Sequence, residues 1–529
     1  MNETANHAKP THASRRQSVL VFLSACFAFS VVSASDFNVL HPAAFAHHVE
    51  RCNAMAPELV TNHISNAHAW PWLQQNIPLF ECPDRDVEEI YYFRWWSYRK
   101  HLVKTPGGYV VTEFLTPVSH AGPFNTVSCA AGLHLVEGRW LRDAQYLDDY
   151  TRFWLRGNDG KPQPHFHKFS SWFPAAVYDR YLVDGDKKFI LDLLPNLVAD
   201  YRAWEAEHQT TSGLFWQYDV RDAMEESISG SRTNKNLRPT INSYMFGNAR
   251  AIAEIARLAK QPALASEFDA KAATLKRLVE EKLWDADAQF FKVRHQNGQL
   301  SDAREALGFI PWMFGLPDFQ PAYAAAFAQL ADPRGFSAPF GITTAERRHP
   351  RFRSHGIGTC EWDGAIWPFA TSQTLSAFAN YLCSESNPSS NHQLSTINYF
   401  SAFLTYTRSQ HANDQPFIGE YLDETTGDWI NRNGRSAYYN HSTYADLLIT
   451  GIVGLRPRAD DVIEISPLLP PETWSWFCLD GVKYHGRMLT VIWDQDGSRY
   501  HRGRGLVLLA NGREIARAEA LGKLTAKLP

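Results

Sequence analysis

Charged and aromatic side chains are mixed in four short segments of the chain, a composition that a packed helix does not favour. The segments are 91–96 (YYFRWW), 216–226 (WQYDVRDAMEE), 360–369 (CEWDGAIWPF) and 417–429 (FIGEYLDETTGDW). Aromatic walls disfavour the charged form of a carboxyl and raise its pKa, so that an acid stays protonated near neutral pH. Cleavage of a glycosidic bond needs one such acid and a second carboxylate that activates water or attacks the anomeric carbon.

Two carboxylates must therefore converge from separate loops, and Asp222 and Glu420 are the best-placed candidates. The alternative for any single carboxylate is structural, because acidic loop residues also cap helices or pair with arginines such as Arg94, Arg221 and Arg238. The combination of segments, rather than one residue, favours a catalytic site.

The same segments supply candidate ligands for a sugar. Sugar rings stack on indoles, so the tryptophans are candidate platforms, and at least two of five are expected to pack in the core instead. Arg94 and Arg221 are expected to anchor a hydroxyl pair or a substrate carboxylate, or to orient the catalytic acids. The full predicted substrate-binding set is Arg94, Trp95, Trp96, Trp216, Tyr218, Arg221, Glu226, Trp362, Asp363, Trp367 and His441.

Composition limits the kinds of partner. The 529 residues carry a formal net charge of -4 and no concentrated basic stripe, which argues against nucleic acid and an anionic membrane. Aromatic residues make up 13% of the chain, including 17 Trp, and this excess favours a carbohydrate partner. His165 and His167 are interpreted as polar loop residues because no third metal ligand is evident, and neither a metal nor a cofactor is expected.

The first residues have the pattern of an export signal. Arg15 and Arg16 precede an apolar run over 18–32, which ends in small residues, and segment 1–34 is therefore predicted to be a cleavable signal peptide. Twin-arginine export and a lipoprotein box ending at Cys26 are the alternatives. The mature protein is predicted to be periplasmic or secreted, without a membrane span.

The middle of the chain has helical periodicity. Apolar residues recur at helical spacing over 167–181, 189–204, 248–259, 268–283, 321–330, 372–382 and 394–406. About ten to twelve such segments fit between residues 86 and 454. Helical hairpins cannot bury their apolar stripes alone, so they must close on one another as a solenoid or a ring.

After Gly454 the pattern changes to short β-rich runs over 462–465, 488–493 and 505–509, with Asn511-Gly512 as a hairpin turn. We therefore expect a lead-in segment over 35–85, a helical catalytic domain over 86–455 and a small C-terminal β domain over 456–529.

Four sequence motifs follow one another along the chain. They are Ser212-Gly213-Leu214 ahead of Asp222, GFIP at 308–311, WDGAIWP at 362–368, and Glu420-Tyr421 ahead of Thr426-Gly427. In order and approximate spacing these resemble the six-hairpin toroid glycosidases of glycoside hydrolase family 63, the processing α-glucosidase I and mannosylglycerate hydrolase type. The resemblance covers about residues 86–457.

The resemblance implies a mainly α fold, an (α/α)6 barrel, and inverting hydrolysis without a metal. It also implies Asp222 as general acid and Glu420 as general base. One departure concerns the acid, because Asp222 is followed by Ala-Met-Glu-Glu rather than by Ser-Pro-Arg. Asp219, Glu225 and Glu226 are therefore substitutes for it.

The sequence thus predicts an exported inverting glycoside hydrolase. The alternatives are a related toroid enzyme of different chemistry, such as a polysaccharide lyase or a furanosidase, and a non-catalytic carbohydrate-binding protein. The sugar, the linkage, endo or exo action and the oligomeric state are left open.

Overall fold

Helices form most of the regular structure. A computed structural model of the chain describes residues 37–58, 63–318, 320–353, 360–384, 392–430 and 435–529, and the predicted signal segment lies outside these residues. The described helices are α1 Ala46–Met55, α2 Ala69–Asn76, α3 Arg85–Lys100, α4 Ser128–Gly138, α5 Gln145–Arg156, α6 Phe173–Asp184, α7 Lys187–His208, α8 Pro239–Leu258, α9 Pro262–Leu283, α10 Ile310–Met313, α11 Ala324–Ala328, α12 Pro368–Leu382, α13 His392–Ser409 and α14 Ala445–Leu447.

Six of these helices form a closed inner ring. Helices α4, α6, α8, α10, α12 and α14 each contact the next one, and α14 returns to α4. Helices α3, α7, α9 and α13 pack on the ring and keep one face towards solvent or a further layer. This arrangement is the predicted (α/α)6 barrel, and a closed ring rather than a solenoid buries the apolar stripes.

Glycines in two inner helices, α4 and α8, lie directly against aromatic rings of neighbouring segments. Every residue of α4 is buried, and its centre is Ala130-Ala131-Gly132. A Cβ atom at Gly132 would collide with the ring of Trp172, and one at Gly247 would collide with Phe314. Glycine thus lets a large aromatic ring lie directly on the helix backbone.

Two outer helices, α3 and α7, begin at aspartate N-caps. The Asp84 carboxylate accepts hydrogen bonds from the backbone N–H groups of Asp86 (3.1 Å) and Val87 (3.2 Å) at the start of α3. Asp186 caps α7 by accepting from the N–H of Phe189 at 2.9 Å. These bonds satisfy donors that a helix start leaves without intrahelical partners.

The strands of the described residues are mostly short. They are β1 Leu79–Glu81, β2 Leu102–Thr105, β3 Gly108–Val111, β4 Trp216–Gln217, β5 Asn236–Leu237, β6 Trp284–Asp285, β7 Phe290–Phe291, β8 Ser337–Ala338, β9 Gly341–Ile342, β10 His411–Ala412, β11 Gln415–Pro416, β12 Tyr421–Leu422, β13 Trp429–Ile430, β14 Leu455–Arg456, β15 Val462–Ile465, β16 Trp476–Tyr484, β17 Arg487–Asp494, β18 Gly505–Ala510, β19 Arg513–Ala518 and β20 Leu524–Lys527.

The C-terminal part forms an antiparallel sheet of order β1-β16-β17-β18-β19 and a smaller sheet of order β14-β15-β20. The predicted β domain is therefore present. Asn511 and Gly512, with φ of 48° and 78°, connect β18 and β19 in the left-handed conformation of a tight hairpin turn.

Strand β1 comes from the segment before the barrel and pairs with β16, Leu79 opposite Asp480. The Asp480 carboxylate also accepts from the N–H groups of Val39 (2.7 Å) and Leu40 (2.8 Å). The residues ahead of the barrel are therefore tied to its C-terminal sheet.

Most predicted helices lie inside observed ones, but 321–330 is only a short turn followed by α11. The six cysteines of the described residues are free thiols. Within the part of the chain that the structure describes, no helix is long and apolar enough to cross a lipid bilayer.

Candidate active site

A cavity of about 310 Å³ lies where five inner helices begin. Its wall comes from the starts of α4 and α12 and from the loops that lead into α6, α8 and α14. The lining residues are Glu113, Phe114, His120, Val127, Cys129, Lys168, Phe169, Val220, Arg221, Ala223, Glu225, Cys360, Trp362, Trp367, Phe369, Glu420, Arg435, Tyr439 and His441. Three carboxylates, Glu113, Glu225 and Glu420, therefore face one enclosed space.

Glu420 directly precedes β12, which pairs with β13 and fixes the backbone at this point. Its Oε2 atom accepts hydrogen bonds from the Arg435 guanidinium at 2.7 Å and from the Ser436 hydroxyl at 3.0 Å. Both donors stabilise the ionised carboxylate. Glu420 is thus held as an oriented anion in the cavity wall.

Glu225 lies in the loop before α8, between two residues with left-handed backbone, Ala223 (φ 55°) and Glu226 (φ 64°). Its carbonyl accepts from the N–H of Trp362 at 3.3 Å, which fastens this loop to the loop before α12. Burial first, and then the negative charges of Glu420 and Asp219, raise the pKa of Glu225 to about 7. A carboxyl with this pKa is still partly protonated at neutral pH.

Glu113 follows the β2–β3 hairpin and is buried. Burial raises the pKa of Glu113 to about 8; Tyr439 opposes the shift through a hydrogen bond, and Glu420 and Glu225 add to it. Sequence reasoning missed Glu113 because its neighbourhood lacks the dense mixture of charge and aromatic rings. The available signal was one carboxylate that interrupts the apolar run over 109–115.

Asp222, the predicted acid, lies outside the cavity lining. Its side chain is fully buried; Oδ2 accepts from Arg238 Nε and Oδ1 from the Ser170 hydroxyl, both at 2.5 Å. Arg238 is equally buried, so the two side chains form an ion pair that is shielded from solvent and lies outside the cavity lining. The structure brings Glu225 and Glu420 together in the cavity and leaves Asp222 apart.

The other acidic candidates also have structural partners. The Arg353 guanidinium donates to the carboxylates of Asp363 and of Glu226, the latter at 3.3 Å. Neither acid lines the cavity. Asp219 is buried and accepts from the N–H of Val220 at 2.7 Å. These three carboxylates stabilise the loops around the site.

The predicted role of segment 91–96 in substrate binding is wrong. The segment is the middle of α3, and Trp95 and Trp96 have no exposed surface. Arg94 donates to the carbonyl of Ser442 at 2.6 Å and to Gln410 at 2.9 Å. The two indole rings bury a large apolar area, and the Arg94 hydrogen bonds connect α3 to neighbouring segments. These side chains therefore hold α3 against the barrel.

Two predicted tryptophans and His441 do line the cavity. The rings of Trp362 and Trp367 stack with centroids 4.7 Å apart, and Trp367 stacks on Tyr421 at the same distance with an interplanar angle of 7°. Burial, and next the nearby Arg94, lower the pKa of His441 well below its ordinary value. A neutral imidazole and a wall of aromatic rings thus complete the enclosure.

Trp216, Tyr218 and Arg221 lie at an open cleft of about 460 Å³ beside the cavity, together with His165, His167, Lys168, His208 and Gln217. Arg221 and Lys168 line both spaces. His167 contacts Asp200 (2.8 Å) and Glu207 (3.2 Å), and among the described residues no cluster suited to a metal ion was found.

The toroid of helices, the three carboxylates of the cavity and the aromatic wall occur together in this site. Residues 123–442 match the family model described as a mannosylglycerate hydrolase MGH1-like glycoside hydrolase domain, and residues 455–517 match the C-terminal domain of glycosyl hydrolase family 65. The chain therefore belongs to the MGH1-like glycoside hydrolase family.

Solved structures extend this result. One described as a sialidase is 50% identical with a TM-score of 0.91, and the match covers 93% of this chain but 46% of that one. The family 63 mannosylglycerate hydrolase of Thermus thermophilus is 13% identical with a TM-score of 0.52, over 68% of this chain and 98% of its own. A family 78 rhamnosidase of Bacillus sp. GL1 is 14% identical with a TM-score of 0.53, over 83% of this chain and 42% of its own. The last two show the shared fold.

Proposed function

We propose that this glycoside hydrolase cleaves its substrate with inversion, with Glu225 as general acid and Glu420 as general base. The observation that carries the proposal is that these two carboxylates share one enclosed cavity but have different environments. Pairs of carboxyl groups whose surroundings separate their protonation states divide the acid and base roles between them.

The raised pKa of Glu225 supports the acid role, because a general acid must carry a proton at the working pH. The hydrogen bonds from Arg435 and Ser436 support the base role of Glu420, because they favour the ionised form that accepts a proton from water. Glu225 also lies within the set of substitutes expected from the sequence, three residues after Asp222.

Inversion requires that Glu420 activates a water molecule rather than attack the anomeric carbon itself. The resemblance to family 63 supports this, because the sequence around Glu420 resembles the motif that carries the general base in that family. The glycosidic oxygen then leaves with the proton of Glu225, and the water adds on the opposite face as its proton passes to Glu420.

The size of the cavity supports removal of single terminal sugars. About 310 Å³ is at the lower end of the roughly 300–1,000 Å³ of ordinary ligand pockets. The starts of five inner helices surround this space, and its volume suits one sugar residue better than a long stretch of glycan. The sialidase description does not carry a sugar over to this chain, which spans 46% of that protein.

Export is part of the proposal and is supported by the sequence of residues 1–34 alone. Mass spectrometry of the protein recovered from outside the cytoplasm should find a mature N-terminus close to residue 35. An intact N-terminus on the protein recovered from intact cells would contradict export.

The enzymatic test is a panel of oligosaccharides of varied linkage, followed by proton NMR during the first turnovers. We expect release of a terminal sugar whose anomeric configuration is opposite to that of the bond cleaved. Retention at the anomeric carbon would contradict Glu420 as base, unsaturated products would indicate a lyase, and binding without turnover would indicate a carbohydrate-binding protein.

A further inference from the structure

A second space lies next to the cavity that contains Glu225 and Glu420, and among the described residues it is lined by cations and aromatic rings rather than by carboxylates. The cleft between Trp216, Tyr218 and Arg221 measures about 460 Å³ and is more open than the carboxylate cavity. The two spaces share Lys168 and Arg221 as a common wall. The cleft is therefore adjacent to the cavity, with these two side chains at the border between them.

The cleft carries positive charge that the protein itself does not neutralise. Arg221 is exposed, and its guanidinium has no hydrogen-bond or ion-pair partner among the described residues. The Lys168 ammonium donates to the carbonyl oxygen of His120 at 3.1 Å, and among described residues no carboxylate lines the cleft. The nearby acids Asp200 and Glu207 are engaged by His167.

An aromatic floor lies beside these cations. The rings of Trp216 and Tyr218 meet edge to face with centroids 5.1 Å apart, and both side chains are half-buried. The Lys235 ammonium stands 4.4 Å from the centroid of Trp216 on this exposed surface. Flat apolar rings for a sugar face and cations for an anionic substituent are thus combined in one place.

We propose that the cleft binds an acidic sugar residue of the substrate on the leaving-group side, with its carboxylate or sulfate contacting Arg221 and Lys168. The inference rests on the proposed function for the order of subsites. The general acid protonates the leaving oxygen, and Glu225 stands on the same loop as Trp216 and Arg221, so the leaving group lies towards this cleft.

Binding can be measured separately from turnover. The method is isothermal titration with the Glu225→Gln variant. One pair of probes is trigalacturonate and its methyl ester, and the other is sulfated neocarratetraose and the same tetrasaccharide after desulfation. We expect one acidic probe to bind about tenfold or more tighter than its neutral match at low salt, with the preference falling as salt is added. The first pair reports a carboxylate and the second a sulfate.

Two variants locate the binding. Arg221→Gln and Lys168→Gln should each reduce the ratio of the affinity for the acidic probe to that for its neutral match about tenfold. Arg277→Gln is the matched control, because Arg277 is an exposed arginine of α9 outside both spaces. Equal affinity for acidic and neutral probes, no binding of either acidic probe, or a preference unchanged in both variants would overturn the proposal.

These outcomes are distinct from failure of the proposed function. If Glu225→Gln and Glu420→Gln stayed fully active, the acid and base assignment would fail while the titration still reported the charge preference. If the protein shows no preference for the acidic probes but Glu225→Gln and Glu420→Gln are both inactive, only the assignment of the cleft fails.

Discussion

Arg435 donates a hydrogen bond of 2.7 Å to Oε2 of Glu420, and both side chains line the cavity. The ion pair favours the ionised form of Glu420. The negative charge of Glu420 in turn raises the pKa of Glu225. One ion pair thus helps both members of the acid and base pair to hold their protonation states.

Arg435→Gln should therefore shift the acidic limb of the pH–activity profile to higher pH. Without the guanidinium the ionised form of Glu420 is less favoured, so more of the base is protonated at a given pH, and the shift should be about one unit or more. The measurement is kcat/KM against pH, with Arg408→Gln on the exposed side of α13 as control. An unchanged acidic limb would contradict the role of Arg435.

Glu225→Gln should lower kcat by about 10²–10⁴-fold, the usual contribution of a general acid or base. The fold should be retained, because the amide replaces a carboxyl that is half-protonated near neutral pH. Circular dichroism and thermal unfolding check the fold, and steady-state kinetics check activity. Near-normal kcat in the folded variant would rule out Glu225 as the acid.

Asp222→Asn should instead affect stability. It leaves Arg238 as a fully buried cation without a charged partner, which costs about 3–5 kcal/mol of the free energy of unfolding. Denaturant unfolding measures this, and Asp302→Asn, in an exposed pair with Arg351, should change it by less than about 1 kcal/mol. A change in Asp222→Asn as small as in the control would contradict a structural ion pair.

The wild-type activity should fall as the pH rises through about 7, because Glu225 must be protonated to act as the acid. A basic limb that stays in place in a folded Glu225→Asp variant, or one found well above pH 8, would contradict this assignment.

Glu113 gives a prediction for stability. Burial raises its pKa from 4.5 to about 8, so its contribution to stability is complete below pH 4.5 and is lost as the pH rises through about 8. Glu113→Gln removes this loss, and its free energy of unfolding relative to wild type should increase between pH 4.5 and pH 9. Exposed Glu281→Gln should show no such trend.

Local periodicity was sufficient to predict the helices, because apolar residues recur at helical spacing and turn residues separate the segments. It left a solenoid and a closed ring open, and the (α/α)6 barrel was implied by the resemblance to the toroid glycosidases. The C-terminal strands were equally predictable, since 462–465 and 505–509 are apolar runs between turn signals. The pairing of Leu79 with Asp480 could not be predicted, because contacts between distant segments leave no local pattern.

Within the site, Glu420 was expected from its aromatic loop and from the resemblance of its Thr-Gly context to the toroid glycosidases, and it does line the cavity. The sequence could not decide whether Glu225 or Asp222 is the acid. The two residues lie in one loop, and the left-handed backbone at Ala223 and Glu226 determines which side chain faces the cavity. Trp95 and Trp96 show the opposite problem, since aromatic residues that pack a helix and those that bind a sugar look alike in composition.

The assignment of Glu225 is tested most directly by the dependence on leaving group. Once the panel identifies the sugar, kcat/KM is measured for Glu225→Gln and Asp222→Asn on the natural glycoside and on the matching glycosyl fluoride, which needs no proton from an acid. We expect Glu225→Gln to lose far more activity on the glycoside than on the fluoride, and folded Asp222→Asn to lose both in similar proportion. The reverse pattern, with selective loss on the glycoside in Asp222→Asn alone, would contradict the account.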